Sequence, residues 1–175
     1  LGRYNYWDHP NKRSSHTSPV LRGGGVAIAI TQMIAICMLV CPTHPSLGGA
    51  WIAGILALTA IGLFDDKREA PIVLRLGIQI ISSLSVLFVL QGGGWTVMEI
   101  AFGLVLMISF VNFVNFMDGI NGIAAGQAAI TGTFMALIAG LFSNEFESIP
   151  LIMCIVIGGA SLGFLPYNFP HAKMF

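Results

Sequence analysis

The stretch LGGAWIAGILALTAIGLFDD, residues 47–66, carries no charge until its last two positions, and both of those are acidic. An α-helix needs about twenty mainly apolar residues, at roughly 1.5 Å rise each, to cross the hydrocarbon core of a bilayer. The stretch therefore reads as a membrane span with Asp65 and Asp66 at its edge. Ionisable groups in such a place are costly unless something compensates them, so they are functional residues whose partner must be found.

The rest of the chain repeats this pattern. Apolar runs at 24–41, 47–64, 72–90, 97–116, 119–142 and 150–165 are joined by short polar connections. The chain is 55% hydrophobic and only 9% charged, with a mean hydropathy of +0.83, against about 25% charged in ordinary soluble domains. None of the runs alternates polar and apolar residues as barrel strands must. Lipid offers no partners for free backbone groups, so helices are the remaining solution. The predicted fold is all-α, a polytopic membrane helix bundle of about six transmembrane helices, with the bilayer itself as a partner. Residues 1–175 read as a single integral membrane domain. It opens on a polar segment with no cleavable-signal pattern and is expected to be incomplete at both ends. Formal net charge is zero, which supplies no basic surface for nucleic acid, and no such partner is expected. Cys37, Cys41 and Cys154 lie inside apolar runs with no His or Cys to complete a zinc set, and read as small buried apolar residues.

Charge distribution orients the bundle. Threading six spans puts Arg3, Lys12, Arg13, Arg22, Lys67, Arg68, Arg75 and Lys173 on one side, every Lys and Arg in the chain. The opposite side carries only Glu99, Glu145 and Glu147. By the positive-inside rule the basic side is cytoplasmic. The same threading gathers Asp65, Asp66, Asn115, Asp118, the polar opening segment and the closing turn 166–175 at that face.

The chemistry of these residues has a bland and a functional reading in each case. Asp65-Asp66-Lys67-Arg68 is either a solvated loop or a cation site, since adjacent carboxylates repel without a cation or donors beside them. Magnesium suits the second reading: it takes one or two carboxylates and completes its shell with water and phosphate oxygens. Asn112, Asn115, Asp118 and Asn121 recur every three residues, either as glue between helices or as a polar site where Gly119 breaks the helix. Arg22 with Gly23–Gly25 leads into a helix, where backbone N–H groups can meet an anion; an ordinary basic loop on anionic lipid is the alternative. Tyr167 and the aromatic residues after it are interfacial anchors or a stacking floor for a nucleobase, with Asn168 supplying hydrogen bonds.

Taken together these segments resemble one family, the bacterial polyprenyl-phosphate N-acetylhexosamine-1-phosphate transferases of glycosyltransferase family 4. The matching stretches are DxPNxRSSH followed by PxxRGGG at 8–25, DDKxxxP at 65–71, NxxNFMDGINGIAAG at 112–126 and YNxPxxxxF at 167–175. The wording PNKRSSH and RGGG is most similar to the branch that starts O-antigen or related surface-polysaccharide synthesis. The resemblance implies an Mg²⁺-dependent reaction, with Mn²⁺ as a substitute, at the cytoplasmic face of the bacterial inner membrane. Undecaprenyl phosphate would attack the β-phosphorus of a UDP-N-acetylhexosamine, giving a lipid diphosphate sugar and UMP. It implies catalytic and metal-binding roles for Asp65, Asp66 and Asp118, and substrate contacts from Asn115, Asn121, Asn168, Phe175, Arg22 and Lys67. Within that set Asn168 and Phe175 match a uracil-binding pair. A single-step attack and a phospho-enzyme both stay open, and a homodimer is one candidate assembly.

Two departures from the family pattern matter. The family usually reads DGIDG where this chain reads DGING, with Asn121 in place of Asp. The family also continues past the Phe175 position with Met-Gly-Asp-x-Gly-Ser, so the 175 residues alone are expected to be inactive. The competing expectations are a transporter or channel with an intramembrane Asp/Asn path, and a structural scaffold. Carboxylates confined to one face argue against both.

Overall fold

A computed structural model of the chain describes residues 7–8, 19–91, 94–142 and 149–174. His9, Lys12, Arg13, His16, Glu145, Glu147 and Phe175 lie outside the described residues.

The apolar runs are helices. Helix α1, Gly25–Ala35, continues as a π-helical turn, Ile36–Val40. It is followed by α2 (Pro45–Lys67), α3 (Ile72–Gln91), α4 (Val97–Met117), α5 (Ile123–Phe142) and α6 (Ile149–Asn168). Five helices, α2 to α6, are long and apolar enough to cross a membrane, while Gly25–Val40 is shorter. Two short strands, β1 (Trp7–Asp8) and β2 (Val20–Leu21), pair antiparallel outside the helices, and Leu21 also bridges to Met174.

Local chemistry sets the helix ends. Pro45 occupies the first turn of α2, where a missing N–H costs nothing. Thr96 and Glu99 cap α4 reciprocally: the Thr96 N–H and hydroxyl donate to Glu99 Oε2 at 2.6 and 2.9 Å, and the Glu99 N–H donates to Thr96 Oγ1 at 3.3 Å. Gly122 takes φ +77°, a left-handed conformation that glycine adopts at no steric cost. The chain therefore turns at 118–122, and α5 begins at Ile123 rather than at 119. At the other end α6 runs past Pro166 to Asn168, three residues into the expected closing turn. Its last turn is closed by the Phe169 N–H on the Leu165 carbonyl at 2.8 Å. The π turn has no cue in the residues; the Cys41 N–H reaches back five positions to the Ile36 carbonyl at 2.9 Å.

The chain divides into two compact units, one holding Ile36–Phe116 and the other Met117 onward with α1 and the paired strands. In the first unit α2 packs on α3 where Gly54 faces Ser82 and both are buried. Leu87 of α3 reaches α4 at Gly103. The Asn112 Nδ2 donates to Gln79 Oε1 and to the Ile108 carbonyl, both at 2.8 Å, tying α4 to α3 through a polar bridge. In the second unit α5 and α6 are antiparallel: Gly126 faces Leu165, Gly132 faces Gly158 and Cys154, and Gly140 faces Leu151. Ala125, Ala129 and Ser161 are buried at this seam, and α1 packs against α6.

Large apolar side chains point outward. Val73 is 83% exposed and Phe116 87%, values that suit hydrocarbon and not water. Helix α4 has no buried residue at all. The cysteines depart from expectation, since Cys37 is exposed and Cys41 and Cys154 are half-buried. In an apolar solvent these small thiols need no core to hide in.

Candidate active site

In the first unit, Asp65, Asp66 and Lys67 occupy the last turn of α2. They belong to the helix and not to the loop that follows. Asp65 closes that loop. Its Oδ1 accepts the Ala70 N–H at 2.7 Å and its Oδ2 accepts Arg75 Nη1 at 2.9 Å. The turn from Arg68 to Pro71 is thereby folded over one carboxylate, and the end of α2 is pinned to the first turn of α3. Arg75 stands where a helix dipole disfavours positive charge, and Asp65 compensates it. The two side chains are 38% and 33% exposed, so solvent screening limits the pair to about 1 kcal/mol. Asp66 is the more exposed neighbour. Successive helical residues lie about 100° apart, so the second carboxylate faces elsewhere. A double-mutant cycle of Asp65→Asn with Arg75→Gln should return a coupling of about 1 kcal/mol. A coupling of zero would show the pair to be idle.

In the second unit, the motif DGING forms the 118–122 turn, and its neighbour is the segment after α6. Asn168 joins them: its Oδ1 accepts the Gly122 N–H at 2.7 Å, and its Nδ2 donates to the Met174 carbonyl at 2.9 Å. Asn121 Nδ2 donates to the Pro170 carbonyl at 3.2 Å. The Lys173 and Met174 N–H groups both donate to the Tyr167 carbonyl, at 2.8 and 3.2 Å, which curls the segment back on itself. Leu21 bridges to Met174, and Arg22 follows directly. The Val26 and Ala27 N–H groups are taken by the Gly23 and Gly24 carbonyls at 3.1 Å each, which removes two of the amides that the glycine-rich entry offered to an anion.

The residues singled out in the sequence thus fall into two local groups. Asp65, Asp66 and Lys67 share the end of α2. Asp118, Asn121, Asn168 and Arg22 meet around the 118–122 turn and the terminal loop. Asn115 is exposed in the last turn of α4, and Phe175 lies outside the described residues. The sequence reading missed Arg75, Gln79 and the carbonyls of Pro170 and Met174. Arg75 had a signal: a cation in the first turn of a helix, ten residues after a carboxylate, asks for an acidic partner.

These features define a helical membrane protein whose described carboxylates Asp65, Asp66 and Asp118 sit at helix ends. The comparisons with known proteins are specific. A model of the family Glycosyl transferase family 4 matches residues 49–175, and the chain belongs to that family. It is similar to the decaprenyl-phosphate N-acetylglucosaminephosphotransferases of Mycolicibacterium smegmatis, 32% identical over 197 aligned positions, and of Mycobacterium leprae, 30% identical over 195. The enzyme of that name from Mycobacterium tuberculosis is also 30% identical over 195 positions. Each comparison covers 95% of this chain and 48% of the relative, so the chain spans about half the length of the curated relatives it matches. No solved structure matches it significantly.

Proposed function

We propose that the complete protein transfers an N-acetylhexosamine-1-phosphate from a UDP-sugar to a polyprenyl phosphate at the membrane surface, releasing UMP. The observation that carries this reading is membership of Glycosyl transferase family 4, in a chain whose adjacent carboxylates Asp65 and Asp66 end an apolar helix. The relatives' name supplies the polyprenyl acceptor and the amino-sugar phosphate. The UDP leaving half, undecaprenyl as the lipid and a role in O-antigen or similar surface polysaccharide rest on the sequence resemblance. The cytoplasmic orientation rests on the one-sided basic residues.

An oxygen of the lipid phosphate attacks the β-phosphorus, the bond from that phosphorus to the bridging oxygen breaks, and UMP departs with its electron pair. Such a transfer needs in-line positioning and charge neutralisation more than covalent help. Lys67, beside the carboxylates on the last turn of α2, supplies positive charge for phosphate there. Arg22 does the same beside the terminal loop.

The donor set suits magnesium. Among the described residues no three His, Cys, Asp or Glu gather into a protein-only cage, and magnesium needs only one or two carboxylates when phosphate oxygens complete its shell. Asp65 and Asp66, in the last turn of α2, would hold it. When bound, the ion neutralises charge on the diphosphate and on the departing UMP. Asp65, fixed by Ala70 and Arg75, keeps its end of the pair in one orientation.

The test is UMP release by the complete protein, supplied with UDP-N-acetylglucosamine and polyprenyl phosphate in vesicles. EDTA should abolish the release and excess Mg²⁺ restore it, with a lipid diphosphate sugar as the second product. Release that ignores EDTA, or that needs no lipid phosphate, would refute the reading.

A further inference from the structure

We propose that Gln79 and Asn112 are positioning residues for the transfer reaction, whose amide bridge sets α4 against α3 so that Asn115 stands level with the Arg75–Asp65 pair. The inference deepens the sugar-phosphate transfer reading above and rests on it for its kinetic arm alone.

The Asn112 amide nitrogen carries two N–H groups and donates both. One goes to the Ile108 carbonyl of its own helix and one to Gln79 Oε1, each at 2.8 Å. A hydroxyl meets the first need by itself: Thr31 and Thr133 donate back four residues to the Ala27 and Ala129 carbonyls. The amide at 112 is therefore required for the crossing to α3. Hydrogen bonds between membrane helices add little net affinity, because the separated partners find other mates. What the bridge contributes is direction.

Among the described residues α4 meets α3 at two levels, Gly103 against Leu87 and Asn112 against Gln79. Residue numbers fall on α3 as they rise on α4, so the two helices are antiparallel. Carried one turn further, about 5.4 Å, the same register brings Asn115 of α4 level with Arg75 of α3. Asn115 follows Asn112 by three residues and Arg75 precedes Gln79 by four, so each stays on the bridge's side of its helix. Arg75 Nη1 in turn donates to Asp65 Oδ2 at 2.9 Å. All of these residues belong to the first compact unit. Asn115 is exposed and the Arg75 side chain is partly so, which leaves both open to substrate. Helix α4 has no buried residue to fix its rotation. A slip of one residue about its axis would swing Asn115 by about 100°, away from Arg75.

Asn112→Ser keeps a hydroxyl for the Ile108 carbonyl and cannot reach Gln79. In the complete protein its kcat per folded molecule should fall about thirtyfold to a hundredfold, the cost of a misplaced reacting geometry. KM for the UDP-sugar and for the lipid phosphate should stay within about threefold of the parent. The swap Gln79→Asn with Asn112→Gln preserves the combined length of the bridge and should bring kcat back to within about threefold. Leu87→Val loosens the other α3–α4 contact, and should lower thermal stability with kcat held within about threefold. Spin labels at Val73 and Phe116, both turned outward near these ends of α3 and α4, read the geometry without substrate. With all other cysteines replaced, the parent and the swap should each give one narrow distance, and Asn112→Ser a broadened or shifted one.

An unchanged distance or an unchanged kcat in Asn112→Ser would overturn the proposal. So would an equal loss of kcat in Leu87→Val, the signature of a bridge that merely holds two helices together, or a folded swap variant that restores nothing. If Asn112→Ser fails to fold, Gln79→Leu carries both arms, with a broadened distance and the same loss of kcat expected and no change refuting. A protein that turns over no UDP-sugar would sink the functional reading, while the spin-label distances would still decide the register.

Discussion

Asp66→Asn in the complete protein is expected to cut sugar-phosphate transfer by about two to three orders of magnitude, the usual cost of removing one group that stabilises transition-state charge. The fold should survive it. Asp66 is exposed at the end of α2, so replacing its carboxylate with an amide of the same shape buries nothing and opens no cavity. Asp65→Asn should behave differently although it sits next door. The amide can still accept from Ala70, but it turns an NH₂ toward Arg75 or forfeits the Ala70 bond. Asp65→Asn is therefore expected to lower thermal stability by about 1–2 kcal/mol as well as activity. Asp66→Asn should lower the melting temperature less than Asp65→Asn does, while raising the Mg²⁺ concentration needed for half-maximal turnover. Denaturation curves and magnesium titrations of the two variants separate the roles. Equal melting and equal magnesium dependence would show that the two carboxylates share one function.

Gly132→Ala is expected to be the most disruptive single methyl in the second unit. A Cβ there would stand 2.6 Å from the Gly158 nitrogen and 2.8 Å from the Cys154 oxygen and the Gly158 Cα. All three are backbone atoms, so no side chain can rotate aside and the helices themselves must part. Overpacking ordinarily costs about 1–3 kcal/mol, and a rigid obstacle puts this site at the upper end. Gly159→Ala, on the facing helix α6, is the matched control, because nothing lies within 4 Å of its added carbon. It should be neutral or slightly stabilising, since alanine favours helix more than glycine does. Thermal unfolding in detergent reads the difference, and comparable melting of the two variants would refute the seam.

How much of this was legible in the residues differs by level. The helices were, because hydrocarbon leaves the backbone no other solution and because each run is long and uncharged. Their ends were less so. The carboxylates proved helical because the Arg68 N–H still reaches the Phe64 carbonyl at 2.8 Å, and the α5 start moved because one glycine turned left-handed. The π turn after Ala35 follows from packing and has no marker in the sequence. Candidate residues were legible as polar types at a membrane edge. Pairings were not: Asp65 with Arg75 depends on how a short loop closes, and Gly122 with Asn168 on two helices meeting antiparallel. Asn168 shows the limit best: its residue type and place near a membrane edge are plain in the sequence, and only the structure shows its amide tied to Gly122 and Met174.

The Thr96–Glu99 cap bears on the order in which the chain assembles. Helix α4 buries none of its residues, so little of its stability comes from neighbours, and the Glu99 and Ile100 amides of its first turn are both served by Thr96. Such a helix can be complete on entering the bilayer, before α3 has found it. The Asn112–Gln79 bridge then acts as a late latch between finished parts. Pulling or unfolding experiments should release α4 ahead of α2 and α3, as a separate event with its own small barrier.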